Sequence, residues 1–285
     1  MSIQIKDLFY TYSPKTQFKV EALKDISLSI DSGSYVAFIG QTGSGKSTLI
    51  QNLNGLLIPT SGEVEVDDFK VTNNKRKNKN IKQLRKHLGI VFQFPEYQLF
   101  EETVLKDVMF GLKNFGIKEE EAKLQAKEAL LSVGIDESFF ERSPFDLSGG
   151  EKRRVAMAGI LALKPDILVV DEPTAGLDPL ISKEILKLLD ELHHQGKTII
   201  LVTHDMDIVL SYAEKVFLLH QGKLIFSGKP IELFMQNHPD IDLEMPKIYQ
   251  VCKLLIEKGF SIDVNKVKSI EDLAKEIKRN LLYYE

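Results

Sequence analysis

An apolar strand signal, Tyr35 to Ile39, runs straight into Gly40-Gln41-Thr42-Gly43-Ser44-Gly45-Lys46-Ser47 and then into the helix-like Thr48-Leu49-Ile50. A strand, a glycine-rich G-x-x-x-x-G-K-[ST] loop and a helix in that order confine the chain to folds in which a sheet delivers a loop to a helix N-terminus. Glycines let the backbone wrap a phosphate, so that successive N–H groups and the helix end point at negative charge. Lys46 is placed to reach the β- and γ-phosphates of a nucleoside triphosphate, and the Ser47 hydroxyl to ligate Mg²⁺. The nucleotide-binding candidates are therefore Gly40, Gln41, Thr42, Gly43, Ser44, Gly45, Lys46, Ser47 and Thr48.

A second strand signal, Ile167 to Val170, ends in Asp171-Glu172. Ligands of open α/β sheets sit at the C-terminal strand edge, so both carboxylates should face the phosphates. Asp171 is the expected Mg²⁺ partner, and Glu172 the expected general base that orients and deprotonates the attacking water. The helical stretch Leu180 to His194 and the strand Ile199 to Val202 complete an alternation that predicts a parallel sheet. The first third is mostly β, through Ile3 to Ile5, Ile26 to Ile30 and Val64 to Val66 with turn signals between them. From about Glu119 to Val133 the period becomes helical, with Ala122, Ala126, Leu130 and Val133 on one face and Glu119 spaced to pair with Lys123. Leu147-Ser148-Gly149-Gly150-Glu151 opens another helix (Val155, Gly159, Ala162), a second backbone nest at a positive dipole end. After Gly228 the chain turns into Pro-interrupted amphipathic pieces.

Composition bounds the function classes. The 285 residues, 43% hydrophobic and 27% charged, suit a soluble protein with a full core. The single cysteine, Cys252, excludes an intrachain disulfide and reads as a buried apolar residue. A net charge of -4 gives no global attraction to nucleic acid or to an anionic membrane. The basic segment 70–87, with four Asn and no aromatic interleaving, reads as a solvated loop rather than a nucleic-acid site. The N-terminus lacks a signal-peptide pattern and the apolar runs are strand-sized, so the chain is expected to be neither secreted nor membrane-spanning. Any link to a membrane should come through partner proteins.

The order of these motifs resembles that of ABC ATPases over nearly all of Ile3 to Gly228. Ser148, Gly149, Gly150 and Glu151 are similar to the family's signature motif. Tyr12 matches the aromatic residue on which adenine stacks, Gln93 the Q-loop glutamine that senses Mg²⁺ and the attacking water, Asp178 the D-loop aspartate, and His204 the switch histidine that contacts the γ-phosphate. The resemblance implies an α/β fold: a P-loop RecA-like core with an antiparallel β edge, a helical subdomain at about 95–158, and a C-terminal extension at 229–285 appended to an ATPase domain at 1–228. It implies ATP and Mg²⁺ as ligands, and two chains stacked head to tail with the Ser148 nest completing a partner's site.

Within that family, Phe92 to Phe100 and the block from Leu147 through Pro179 resemble energy-coupling factor transporters, in particular the second of their two paired ATPases. The resemblance implies a peripheral protein at the cytoplasmic membrane face, powering uptake of vitamins or other micronutrients. Its partners would be a paralogous ATPase, a transmembrane coupling protein and a substrate-binding membrane protein, with no nucleic acid. Tyr97 departs from the commoner Asp or His. On this reading Glu96 offers a charge, and Leu99 with Phe100 an exposed apolar anchor, to the membrane partner. A homodimeric cobalt or nickel importer ATPase and a soluble non-transport ABC ATPase are the alternatives. Repair ATPases carry a long coiled-coil insertion and translation factors a second cassette, neither of which is visible here. A catalytically dead scaffold fits poorly with Lys46, Asp171, Glu172 and His204 all in place.

Overall fold

The structure is a computed structural model that describes residues 3–74, 76, 78–235, 243–267 and 269–281. Its strands are β1 (Ile3–Tyr12), β2 (Val20–Ile30), β3 (Tyr35–Ile39), β4 (Ser61–Val66), β5 (Phe69–Thr72), β6 (Leu88–Val91), β7 (Ile167–Asp171), β8 (Thr198–Val202), β9 (Lys215–His220) and β10 (Lys223–Gly228). Its helices are α1 (Lys46–Leu53), α2 (Ile81–His87), α3 (Val104–Asn114), α4 (Glu119–Ser132), α5 (Gly149–Leu161), α6 (Pro179–His194), α7 (Met206–Tyr212), α8 (Pro230–Met235), α9 (Lys247–Glu257) and α10 (Ile270–Leu281).

Period-two patterning separates one sheet from the other. In β1, Ile3 and Ile5 point inward while Gln4 and Lys6 do not, and the sheet they belong to is antiparallel, in the order β2-β1-β4-β5. By contrast β3, β7 and β8 are buried at every residue, the signature of strands covered on both faces. They lie in the second sheet, ordered β10-β9-β3-β8-β7-β6, parallel from β9 to β6 and closed by β10 running antiparallel to β9. One face, with Phe38, Val169 and Ile200, packs against the antiparallel sheet and α1. On the opposite face, Tyr35, Leu168 and Val170 meet Met157 of α5 and Ile185 and Leu189 of α6. Ala37 and Ile39 meet α7, α8 and α9, with Cys252 buried there, so the described part of the tail shares the core of the sheet.

A second core joins α3, α4 and α5, and the face Ala122, Ala126, Leu130 and Val133 lies wholly in it. Helical structure begins ahead of the Glu119 period: α3 starts at Val104, where the Thr103 hydroxyl caps the backbone N–H of Lys106. Three surface expectations are corrected, at Glu119, Leu99 and Glu96. Glu119 pairs with Lys113 across the turn between α3 and α4, at 2.6 Å, rather than with Lys123. Leu99 is 7% exposed and belongs to the helical core, so it is no external anchor. Several residues of the basic segment are bound within the protein: Lys70 to Glu63 and Glu65, His87 to Asp67 and Asp166, Arg85 to the carbonyls of Asn54 and Gly55. Lys75 and Lys77 lie outside the described residues.

Glu96 is not a free charge either. Its two carboxylate oxygens accept from Nε and Nη2 of Arg153 at 3.0 and 2.7 Å, a bidentate pair in which Arg153 is 2% exposed. The remaining guanidinium nitrogen donates to the carbonyls of Pro173 and Ala175 at 3.1 and 2.7 Å, and the group lies over the Phe94 ring. One side chain of α5 thereby ties the segment after β6 to the segment after β7. Removing one partner of such a pair strands a buried charge, at a cost of about 3–5 kcal/mol, whereas an apolar replacement of both is often nearly neutral. Glu96→Ala should therefore lower the urea midpoint sharply, and Glu96→Leu combined with Arg153→Met should recover most of the loss. Equal loss in the single and double variants would show that the charges themselves are not what holds the three segments.

Candidate functional site

Parallel strands bring their C-terminal ends to one edge, and there β3 hands the chain to the loop 40–45. Gly40 has a φ of +142°, and a Cβ on it would collide with the carbonyl of Leu219. Gly45, at φ +106°, passes so close to the carbonyl of Ala22 that a Cβ would lie 2.7 Å from it. Only glycine meets both demands, the conformation and the clearance. The loop turns back over Lys46, whose Nζ donates to the carbonyls of Gly40 at 2.6 Å and Gln41 at 3.1 Å. Burial pushes the Lys46 ammonium toward lower pKa, opposed by the negative charges of Glu172 and Asp171.

At the end of β7 the carboxylate of Asp171 accepts from the Ser47 hydroxyl at 3.3 Å. Burial, then the neighbouring charge of Glu172, push the Asp171 carboxyl up, against the Ser47 hydrogen bond and Lys46. Glu172 follows in the left-handed region at φ +48°, its backbone N–H held by the carbonyl of Val202 at 2.8 Å. Its Oε1 lies 2.8 Å from Nδ1 of His204, and its Oε2 accepts from the Thr203 hydroxyl at 3.4 Å. His204 itself is 78% exposed on its side chain, so its other ring face is open to a ligand.

Tyr12, Thr42, Gly43, Gly45, Lys46, Ser47, Thr48, Gln93, Asp171, Glu172 and His204 line one cleft of about 690 Å³. Gly40 and Gln41 line an adjoining cavity with Lys46, Glu172 and His204. Tyr12 is 40% exposed, with its hydroxyl 3.1 Å from the Thr48 hydroxyl and its ring edge-on to Tyr10. Ser44 is buried, and its hydroxyl has no partner among the described residues.

Ser148, Gly149, Gly150, Glu151 and Asp178 do not line this cleft. Ser148 caps α5, with its backbone N–H and hydroxyl both donating to the Glu151 carboxylate at 2.8 and 2.7 Å, which holds that carboxyl below its usual range. Asp178 caps α6, accepting from the N–H groups of Leu180 and Ile181 at 2.9 and 3.1 Å. Sequence reasoning missed Thr203 and the Gln221–Gly222 turn after β9, which also borders the cleft. The turn matches no spacing pattern that would mark it. Thr203 had one signal, a hydroxyl at a strand exit directly before His204.

The residues present suit a triphosphate with a divalent cation. Asp171 and Glu172 repel one another beside a single ammonium, and a hydroxyl and a carboxylate oxygen stand 3.3 Å apart as hard oxygen donors. Glycine backbone and Lys46 supply the complementary positive cradle.

Residues 23–175 match the ABC transporter family. A protein of Streptococcus pyogenes serotype M5 (strain Manfredo), "Energy-coupling factor transporter ATP-binding protein EcfA2", is 52% identical over 280 residues, covering 98% of this chain and 99% of that protein. Among solved structures, cbiO1 from Clostridium perfringens, described as part of the ABC transporter complex cbiONQ, is 40% identical with a TM-score of 0.72, covering 88% of this chain and 98% of that one. The ATP-binding cassette MJ0796, dimeric and bound to ADP and Pi, is 32% identical with a TM-score of 0.71, over 80% of this chain and 98% of that one. Fold, motif order and near full-length identity agree, and this chain is a member of the ABC transporter ATPases, among the ATP-binding proteins of energy-coupling factor transporters.

Proposed function

We propose that this chain is the ATP-hydrolysing motor of an energy-coupling factor transporter for vitamins or other micronutrients, acting at the cytoplasmic membrane face. The observation that carries the reading is the meeting of Lys46, Ser47, Asp171, Glu172 and His204 in one cleft. Adenine stacks on Tyr12, and the phosphates lie in the loop 40–48, where backbone N–H groups and the Lys46 ammonium receive them. Lys46 exchanges its bonds to the Gly40 and Gln41 carbonyls for phosphate oxygens. Ser47 and Asp171, with Gln93 at the cleft wall, would hold Mg²⁺, which would supply neutralisation of phosphate charge. Glu172 orients a water and takes its proton as the water oxygen bonds to the γ-phosphorus. The bond to the bridging oxygen breaks, giving ADP and inorganic phosphate. His204 contacts the γ-phosphate while its Nδ1 stays on Glu172.

Ser148, Gly149, Gly150 and Glu151 are assigned to the triphosphate held by a partner chain, because they sit off this chain's own cleft, and Asp178 to the contact between the two chains. ATP binds the closed pair more tightly and shifts the population toward it; hydrolysis and release reverse the shift. The division into an ATPase domain at 1–228, with helical subdomain 95–158, and an extension at 229–285 is part of the proposal. No helix of the described residues is long and apolar enough to cross a membrane. Motion must therefore pass through a membrane partner, and the exposed aromatics Tyr97 at 84% and Phe100 at 55% are the proposed contact.

Glu172→Gln keeps size and loses basicity; it should leave ATP binding intact, trap a closed dimer and cut turnover by about 10²- to 10⁴-fold. Phosphate release above half the wild-type rate would remove Glu172 from the role of base. Tyr97→Ser with Phe100→Ser, leaving Leu99 in its core, should abolish co-purification with the membrane partner while basal ATPase and the thermal transition persist. Loss of the basal rate would instead assign the aromatics to the packing between subdomains. The cognate pair is a heterodimer with a paralogous ATPase: the isolated chain should turn over slowly and with concentration dependence, rising on addition of the paralogue. Full activity of this chain alone would support a homodimeric motor.

A further inference from the structure

Glu172 is the first residue past the buried strand β7, in a left-handed conformation, and nothing in its own strand fixes its side-chain torsions. A general base must nevertheless hold its carboxylate within hydrogen-bond reach of one water position. The register of β7 on β8 sets Asp171 opposite Val202, which brings Glu172 beside the residue that follows, Thr203. Thr203 is 1% exposed and its backbone N–H is bound to the Phe38 carbonyl of β3, so its position is set by the central strands rather than by the loop.

The Thr203 hydroxyl makes two contacts of opposite sense. It accepts from the backbone N–H of Asp205 at 3.1 Å, and it donates to Oε2 of Glu172 at 3.4 Å. A hydroxyl has one proton to give, and an N–H offers no acceptor, so the proton is left to the carboxylate. Asp205 in turn caps α7, accepting from Asp207 and Ile208. The two carboxylate oxygens of Glu172 are thus each addressed from the exit of β8: Oε1 by the exposed His204 ring and Oε2 by a buried hydroxyl.

We propose that Thr203 is a positioning residue for the hydrolytic step: its hydroxyl holds the Glu172 carboxylate and the turn that carries His204 in one arrangement. While His204 is also engaged by a γ-phosphate, Thr203 is the donor held in place by the central strands. The inference rests on Glu172 as the base.

The test is steady-state ATPase of the full chain, in the dimer that supports turnover, for Thr203→Val, Thr203→Ser, Glu172→Gln and the double variant Glu172→Gln with Thr203→Val. Valine preserves the shape and removes the donor; a hydrogen bond to a charged group predicts a fall in kcat of about 10- to 100-fold with KM unchanged. Serine should restore kcat to within about threefold of wild type. On the Glu172→Gln background the valine should add little further loss, because the two act as a unit. Thermal unfolding of each variant accompanies the kinetics, and Thr203→Ala takes the place of the valine if the latter does not fold. A wild-type kcat in Thr203→Val, a serine variant as impaired as the valine, or a full additional loss on Glu172→Gln would overturn the proposal. A wild-type rate in Glu172→Gln would instead overturn the base assignment, a result distinguishable from an inert Thr203 with an inactive Glu172→Gln.

Discussion

Strands that are apolar on both faces cannot be left facing water, and β3, β7 and β8 are buried at every residue. That constraint orders the rest of the molecule. One face is covered by the antiparallel sheet with α1, the other by α5 to α9. With both faces closed, the sheet's C-terminal edge is where functional groups can be presented. The loop after β3, the carboxylates after β7 and the histidine after β8 all emerge there, which is why one cleft contains them.

Charge in the cleft is arranged for a guest. A half-buried ammonium is driven toward its neutral form and a buried carboxylate toward its own, each opposing the other only in part. Phosphate at Lys46 and a cation at Asp171 would relieve both conditions at once. The same logic makes Arg153 an effective tie between subdomains. Its three nitrogens are shared among a carboxylate and two carbonyls, so a shift of the Glu96 segment is felt directly at Pro173 and Ala175, beside Glu172. Exposed Tyr97 is the next residue after Glu96, so a partner seated on it would be linked to the catalytic edge through a single guanidinium.

The chain alone determined the fold class and, through local spacing, the phosphate loop and the two carboxylates of the cleft, whereas Tyr12, Gln93 and His204 were marked by family resemblance. A strand that ends in G-x-x-x-x-G-K-[ST] has one way to be used, and an apolar strand ending in Asp171-Glu172 has few. Burial of Ala122, Ala126, Leu130 and Val133 was legible for the same reason, a helical period over a long stretch. What the chain did not show is what depends on approach from a distant segment. Glu96 and Leu99 read as surface groups in a loop of charges and aromatics; one is paired with Arg153, 57 positions away, and the other buried by α3 and α5. Glu119 took Lys113 rather than Lys123 because a turn brought the former nearer than the helix brought the latter. Thr203 acquired its meaning only through the register of β7 on β8, which no single strand encodes. Local pattern specifies which elements form and which groups they carry; tertiary structure decides which charges are shared, because pairing energy depends on distances that only packing sets.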